Sequence, residues 1–423
     1  LVALSAAVRL VDLGRFPGVV FDEHYYVHDA RVILAGGLQG SPSEPWRPAS
    51  LRSVAHPDLG KLAIAAGIRI LGDGPWGWRV PSALAGTALV ALVFPLARRM
   101  GLAADWSLAA LVLAATDPML IIESRLGVLD IFVALGTAAA VYLALGYVQS
   151  GFKPVWILVC GVAVGAAAAC KWSGLLALLA VFIVVVPVLV RRSHPRLVWP
   201  VFLTGVTAVP MLVYAASSAA YFAAGHGVSD WLRLQWHMAG FGWRVHGDVS
   251  FASAPMTWPL DVHPIWYKWA ATSDGIVGLL AVGNPLLWWS ASAACVALAV
   301  MAVMRRDWRL GLAPAMVAAL YLPWLLTTRE TYIYYMAPVV PFMAVVLATA
   351  LARIAGASWA FPGVGIWSGM PEEPSRPGGR RQVAAWIACL VCAGAGLLFL
   401  PFVLGVPVPF EYYDRLMLFT VWK

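Results

Sequence analysis

Long apolar runs dominate this chain and limit what it can fold into more than any motif does. Runs ended by charges or by Pro/Gly clusters fall at about 1–14, 80–97, 106–122, 126–147, 155–170, 173–190, 197–216, 276–303, 311–326, 332–354 and 383–403. A helix needs about 20 apolar residues to cross a bilayer, and lipid offers no partner to unpaired backbone groups. Eleven membrane-spanning helices are therefore expected. Composition supports the same reading. Of 423 residues, 61% are apolar and 12% charged, whereas soluble chains carry about 25% charged residues. Such a chain lacks the polar groups to cover its own surface, and its 21 tryptophans suit headgroup depth. The expected fold class is an all-α polytopic membrane protein, a single transmembrane domain over 1–423. The first run is too short to cross alone, so the chain is expected to begin inside its first span, the native N-terminus lying before Leu1.

Orientation follows from charge. If the first span leaves the cytoplasm, the cytoplasmic segments hold Arg98, Arg99, Lys153, Arg191, Arg192, Arg196, Arg305, Arg306, Arg309, Arg353, Arg376, Arg380 and Arg381. Only Asp105, Asp307, Glu372 and Glu373 oppose them, which is the positive-inside pattern. The net charge of +8 is thus spread over short loops rather than gathered into a stripe, and nucleic acid is not an expected partner. Two large loops, about 15–79 and 217–275, fall on the extracytoplasmic side. The Pro-rich segment 356–381 reads as a cytoplasmic linker. The five cysteines lie in apolar stretches and read as packing residues.

The outer face holds most of the reactive side chains. Asp22 and Glu23 follow the first span, where partial loss of hydration raises a carboxylate's pKa and makes it a better base. An ordinary acidic loop is the plain alternative. Four cations sit beside span ends on the same side: Arg79, Arg125, Lys171 and Arg329. Charges at such depth usually have a partner, and guanidinium and ammonium groups suit phosphate oxygens. Snorkelling to the interface is the plainer account for any one of them. Four on one face favour an anionic ligand. Lys171 falls at the outer tip of a tight helical hairpin. Asp130 stands one turn past Arg125 as a candidate to neutralise it, but the i, i+5 spacing is poor for a direct helical pair and leaves its role open. His24 and His28 stand i, i+4 without further ligands in place, so no metal site is expected.

The segment Val20-Phe21-Asp22-Glu23-His24-Tyr25-Tyr26-Val27-His28-Asp29-Ala30 resembles the first-loop motif of bacterial protein O-mannosyltransferases. His56-Pro57-Asp58-Leu59-Gly60-Lys61 is similar to the family's His-Pro-Pro-Leu-Gly-Lys, with Asp58 replacing the second proline. Gly77-Trp78-Arg79-Val80-Pro81-Ser82, Ser124-Arg125-Leu126 through Asp130, Lys171-Trp172-Ser173-Gly174, Tyr221-Phe222 through Gln235 and Met238, Gly283-Asn284-Pro285 and Arg329 through Tyr335 continue the series in order. Where the family's second loop often has His-Pro-Tyr, this chain has Val249-Ser250-Phe251. That loop also lacks room for the soluble domain of fungal members.

The resemblance implies the GT-C glycosyltransferase fold with eleven spans in a bacterial plasma membrane. It implies mannose transfer from polyprenyl-phosphate mannose to Ser or Thr hydroxyls of translocated proteins, with inversion. Asp22 and Glu23 are then the catalytic carboxylates. Arg79, Arg125, Lys171, Arg329, His56, Lys61, Asp130 and Gln235 form the substrate-binding set. No cofactor is required. The expected partners are the lipid donor, membrane lipids, a secreted or membrane acceptor protein and the translocation machinery. Two alternatives remain open to residue chemistry: a GT-C enzyme that glycosylates a cell-envelope glycan or lipid, and a lipid or sugar transporter. A transporter calls for midplane charges and internal pseudo-symmetry, and no repeat is visible.

Overall fold

Proline placement sets where the long helices begin. In the computed structural model, which describes residues 1–35, 55–191, 195–223, 225–244, 251–357 and 379–422, Pro75, Pro118, Pro154 and Pro285 each open a helix. The first helical position needs no N–H and suits proline's fixed φ. Two of these starts are capped by the preceding side chain. Asp117 accepts from the Leu120 N–H at 3.1 Å, and Asn284 from the Leu287 N–H at 3.3 Å.

Six helices among the described residues are long and apolar enough to cross a membrane: Pro75–Arg99, Asp130–Gln149, Trp172–Arg191, Val198–Ser217, Pro285–Met304 and Arg309–Leu326. A bent pair, Ala104–Ala115 and Pro118–Arg125, makes a seventh candidate. Pro154–Cys170 and Val340–Ala355 are shorter apolar helices. The protein is thus a multi-pass, mostly helical membrane protein, although length and apolarity alone do not count out eleven spans. Lipid tails are as apolar as leucine, so close packing holds the spans together. At Gly136 an added Cβ would come within 2.8 Å of Ala167 Cβ, and the absence of a side chain lets Asp130–Gln149 lie against Pro154–Cys170.

Three expectations need correction. The 106–122 run is not one straight span. It breaks at Asp117 and bends by 58°, because this buried carboxylate caps the next helix and accepts from the Asn284 N–H (3.1 Å) and Trp288 Nε1 (2.9 Å). The chain is not wholly α: strands β1 (Ile265–Ala271), β2 (Gly275–Ala281) and β3 (Val408–Pro409) form an antiparallel sheet in that order. The expected span 276–303 therefore splits into β2 and the Pro285–Met304 helix. Nearly every β2 residue is buried, so the strand has the unbroken apolar look of a span, and periodicity cannot separate the two. The expected linker at 356–381 lies largely outside the described residues.

The described residues of the first large loop form two short helices, Glu23–Leu34 and Leu59–Leu71, which pack against each other, the second lying also along Pro75–Arg99. The hairpin β1–β2 pairs Ile265 with Ala281 and is irregular between Trp266 and Lys268. It brings Tyr267 against the Glu23–Leu34 helix start, where the aromatic rings of Phe21 and Tyr267 stack at 4.2 Å.

Candidate active site

A buried ion pair ties the first large loop to the Pro75–Arg99 helix. Glu23 has no exposed surface, and its carboxylate accepts from Arg79 Nε and Nη2 (both 2.8 Å), the Val20 N–H (2.9 Å) and the Gly127 N–H (2.7 Å). Arg79 donates its remaining N–H groups to the carbonyls of Leu13 (2.6 Å), Phe16 (2.8 Å) and Gly18 (3.0 Å). All five guanidinium donors are thus occupied within the protein. The preceding residue, Asp22, is half-buried at the helix N-cap and free of that lock. Its carboxylate meets the Tyr334 hydroxyl at 3.5 Å. Burial raises the Asp22 pKa to about 6; Lys171 opposes the rise, Asp130 adds to it, and hydrogen bonds from Tyr334 and Tyr26 oppose it.

Tyr334 connects this carboxylate to a cation. The Lys171 ammonium lies 5.1 Å from the Tyr334 ring centre and 4.4 Å from that of Tyr335. Its ion partner is Asp130, at 3.0 and 2.8 Å to the two oxygens. The role left open for Asp130 is thus pairing with Lys171, not with Arg125. Arg125 ends one helix and Asp130 opens the next, with the non-helical stretch 126–129 between them, whereas the hairpin tip brings Lys171 onto Asp130. Arg329 is half-buried beside the same aromatics, its guanidinium 5.7 Å from the Tyr335 ring and Nη2 3.4 Å from the Tyr335 hydroxyl.

A cavity of about 280 Å³ opens here, lined by His56, Lys171, Trp172, Met238, Thr328 and Arg329 among others. His56 is held from behind. Lys61, itself buried against Asp29 at 2.8 Å, donates to the His56 carbonyl at 2.9 Å. Burial pushes the His56 pKa well below 6.5, and the nearby Lys171, Lys61 and Arg329 push the same way, so His56 is neutral at physiological pH. Gln235 borders the site indirectly. It accepts from the Tyr214 hydroxyl (2.6 Å), which accepts from Trp172 Nε1 (2.8 Å).

The sequence-derived residues thus divide. Asp22, Lys171, Arg329, His56 and Asp130 converge around Tyr334, Tyr335 and the cavity. Glu23 and Arg79 lie directly behind Asp22. Lys61 and Gln235 support the cavity wall. Arg125 stands apart, donating to the carbonyls of Val8 (2.7 Å), Val11 (2.8 Å) and Val403 (3.2 Å). Sequence reasoning passed over Glu123 and Tyr267. Both are buried, and the Tyr267 hydroxyl donates to Glu123 at 2.5 Å. An acid in an apolar run was the available signal for Glu123. For Tyr267 there was none. Of the Val249-Ser250-Phe251 segment, the first two residues lie outside the described set.

Comparison with known proteins bears on this arrangement. A family model described as dolichyl-phosphate-mannose-protein mannosyltransferase matches residues 72–224. One for the C-terminal four-TMM region of protein-O-mannosyltransferase matches residues 227–422. A polyprenol-phosphate-mannose–protein mannosyltransferase of Mycolicibacterium smegmatis is 27% identical over 83% of this chain and 80% of its own length. One from Mycobacterium tuberculosis is 26% identical over 99% and 90%. Among solved structures, the Saccharomyces cerevisiae protein O-mannosyltransferase Pmt1-Pmt2 complex bound to the sugar donor aligns with a TM-score of 0.78 at 13% identity, over 100% of this chain and 91% of that one. ArnT from Cupriavidus metallidurans bound to undecaprenyl phosphate gives 0.62 at 17% identity, over 95% and 64%. These structures share the fold.

Proposed function

The chain belongs to the dolichyl-phosphate-mannose-protein mannosyltransferase family, and we propose that Asp22 is the general base with which it moves mannose from polyprenyl-phosphate mannose to Ser or Thr hydroxyls of proteins. The observation that carries this reading is the position of Asp22. It is a half-buried carboxylate of raised pKa, separated by one tyrosine ring from the Lys171 ammonium at the edge of the cavity.

The donor's phosphate sits between Lys171 and Arg329. The acceptor hydroxyl gives its proton to Asp22 as its oxygen attacks the anomeric carbon from the face opposite the phosphate. The bond from that carbon to the phosphate oxygen breaks, and polyprenyl phosphate leaves with one more negative charge. The two cations stabilise that charge as it grows. A phosphate monoester is a good leaving group without protonation, so one carboxylate suffices and no step is assigned to a metal. Attack opposite the leaving group inverts the sugar. Neutral His56 hydrogen-bonds uncharged sugar hydroxyls rather than the phosphate. Glu23 and Arg79 position Asp22 and do not touch substrate, and Lys61, Asp130 and Gln235 hold the groups that do.

The positive-inside asymmetry of the loops supports placing this site on the extracytoplasmic face of a bacterial plasma membrane. The acceptor there is a translocated chain, and the translocation machinery is the partner that delivers it. The test is Asp22→Asn in purified protein, followed by mannose transfer from the lipid donor to a Thr-containing peptide. A loss of about 10²–10⁴-fold is expected for removal of a general base. Retention of most activity removes Asp22 from that role.

A further inference from the structure

Phe21, the residue before the proposed base, has φ +50°. A bulky side chain in the left-handed region is rare and persists only where its surroundings hold it. Three rings do so. Tyr267 stacks on Phe21 with centroids 4.2 Å apart and planes 19° from parallel. Tyr334 meets it edge-on at 6.0 Å, and Phe251 edge-on at 5.4 Å. Of these, Tyr267 makes the closest contact, and it is itself fixed. It stands on β1, 144 residues from Glu123 in sequence, and its hydroxyl donates to that buried carboxylate at 2.5 Å. Glu123 in turn belongs to the Pro118–Arg125 helix, whose bend at Asp117 aims it at the hairpin.

We infer that Tyr267, anchored by Glu123, is a positioning residue for the transfer reaction, holding Phe21 in its left-handed conformation so that Asp22 faces the acceptor hydroxyl. The second outer loop thereby sets the geometry of a base carried by the first. The inference rests on the general-base reading of Asp22 and goes beyond it, since neither Tyr267 nor Glu123 lines the cavity proposed for the donor. A displacement of the base by about 1 Å costs on the order of 10²-fold in rate, so loss of the stack is felt in kcat rather than in donor binding.

The experiment measures kcat and the lipid-donor KM for Tyr267→Leu, Tyr267→Phe and Glu123→Gln, each in the wild-type and the Asp22→Asn backgrounds. Tyr267→Leu is expected to lower kcat by about 10–100-fold with KM unchanged. Tyr267→Phe keeps the ring and Glu123→Gln keeps an acceptor oxygen, so each loses a few-fold. In the Asp22→Asn background all three should add little further loss, because residues acting through one group are not additive. An equal fractional loss in both backgrounds, or a raised KM with kcat intact, overturns the inference while leaving the base in place. Should Tyr267→Leu fail to fold, the two milder variants give the same comparison. Full activity of Asp22→Asn alone instead sinks the base reading, and the positioning role with it.

Discussion

Arg79 holds Glu23 through two parallel hydrogen bonds of 2.8 Å, with both side chains almost wholly buried. The pair joins the start of the Pro75–Arg99 span to the start of the Glu23–Leu34 helix, 56 residues apart in sequence. It fixes the backbone just after Asp22 while leaving that carboxylate free. The two adjacent acids thus sit in different environments, set by which one the guanidinium reaches.

Breaking this pair should damage the fold before the chemistry. Removing one partner of a buried ion pair leaves an uncompensated charge and costs about 3–5 kcal/mol. Arg79→Met is expected to lower the thermal unfolding midpoint markedly, and Arg79→Lys to do so as well, since an ammonium cannot replace a five-donor fork. An unchanged midpoint in detergent would show that the pair is not structural.

The pH dependence of turnover should report Asp22. Its pKa is raised to about 6 by burial, and the base form exists only above that value. kcat is therefore expected to fall as pH drops through about 6 and to level off above it. His56, held neutral by burial and neighbouring cations, adds no second inflection in this range. Steady-state kinetics at saturating donor test this, and a profile flat down to pH of about 4.5 contradicts an essential carboxylate of this pKa.

Arg329 is half-buried beside the cavity and has no ion-pair partner of its own among the described residues. Arg329→Gln should leave stability nearly intact and weaken the lipid donor by about tenfold or more, the worth of a charge-assisted hydrogen bond. Arg329→Lys should fall between. Inhibition by free polyprenyl phosphate gives the same comparison without turnover. Equal inhibition constants for wild type and Arg329→Gln would remove this cation from the phosphate site.

If protein cations meet the leaving phosphate as proposed, transfer proceeds undiminished in excess EDTA after dialysis against chelator. Activity lost on chelation and restored by a divalent ion would require a step assigned to metal.

The amino-acid sequence by itself determined that this is a multi-pass membrane protein and that its loops differ in charge, and it offered Asp22, His56 and the cations Arg79, Arg125, Lys171 and Arg329 as one candidate set, of which Arg79 and Arg125 turn to backbone carbonyls. Those properties follow from composition and from short ordered motifs. Tertiary structure decided the partners. Lys171 takes Asp130 because a hairpin tip folds over it, and Arg79 turns inward to Glu23 and the carbonyls of 13, 16 and 18. Tyr267 reaches Phe21 from a strand whose apolar neighbour β2 reads as part of a span. Residue spacing describes only neighbours along one helix or strand. Contacts across 40 to 250 residues depend on how spans pack, and in lipid that packing is chosen by shape complementarity between surfaces of nearly uniform polarity.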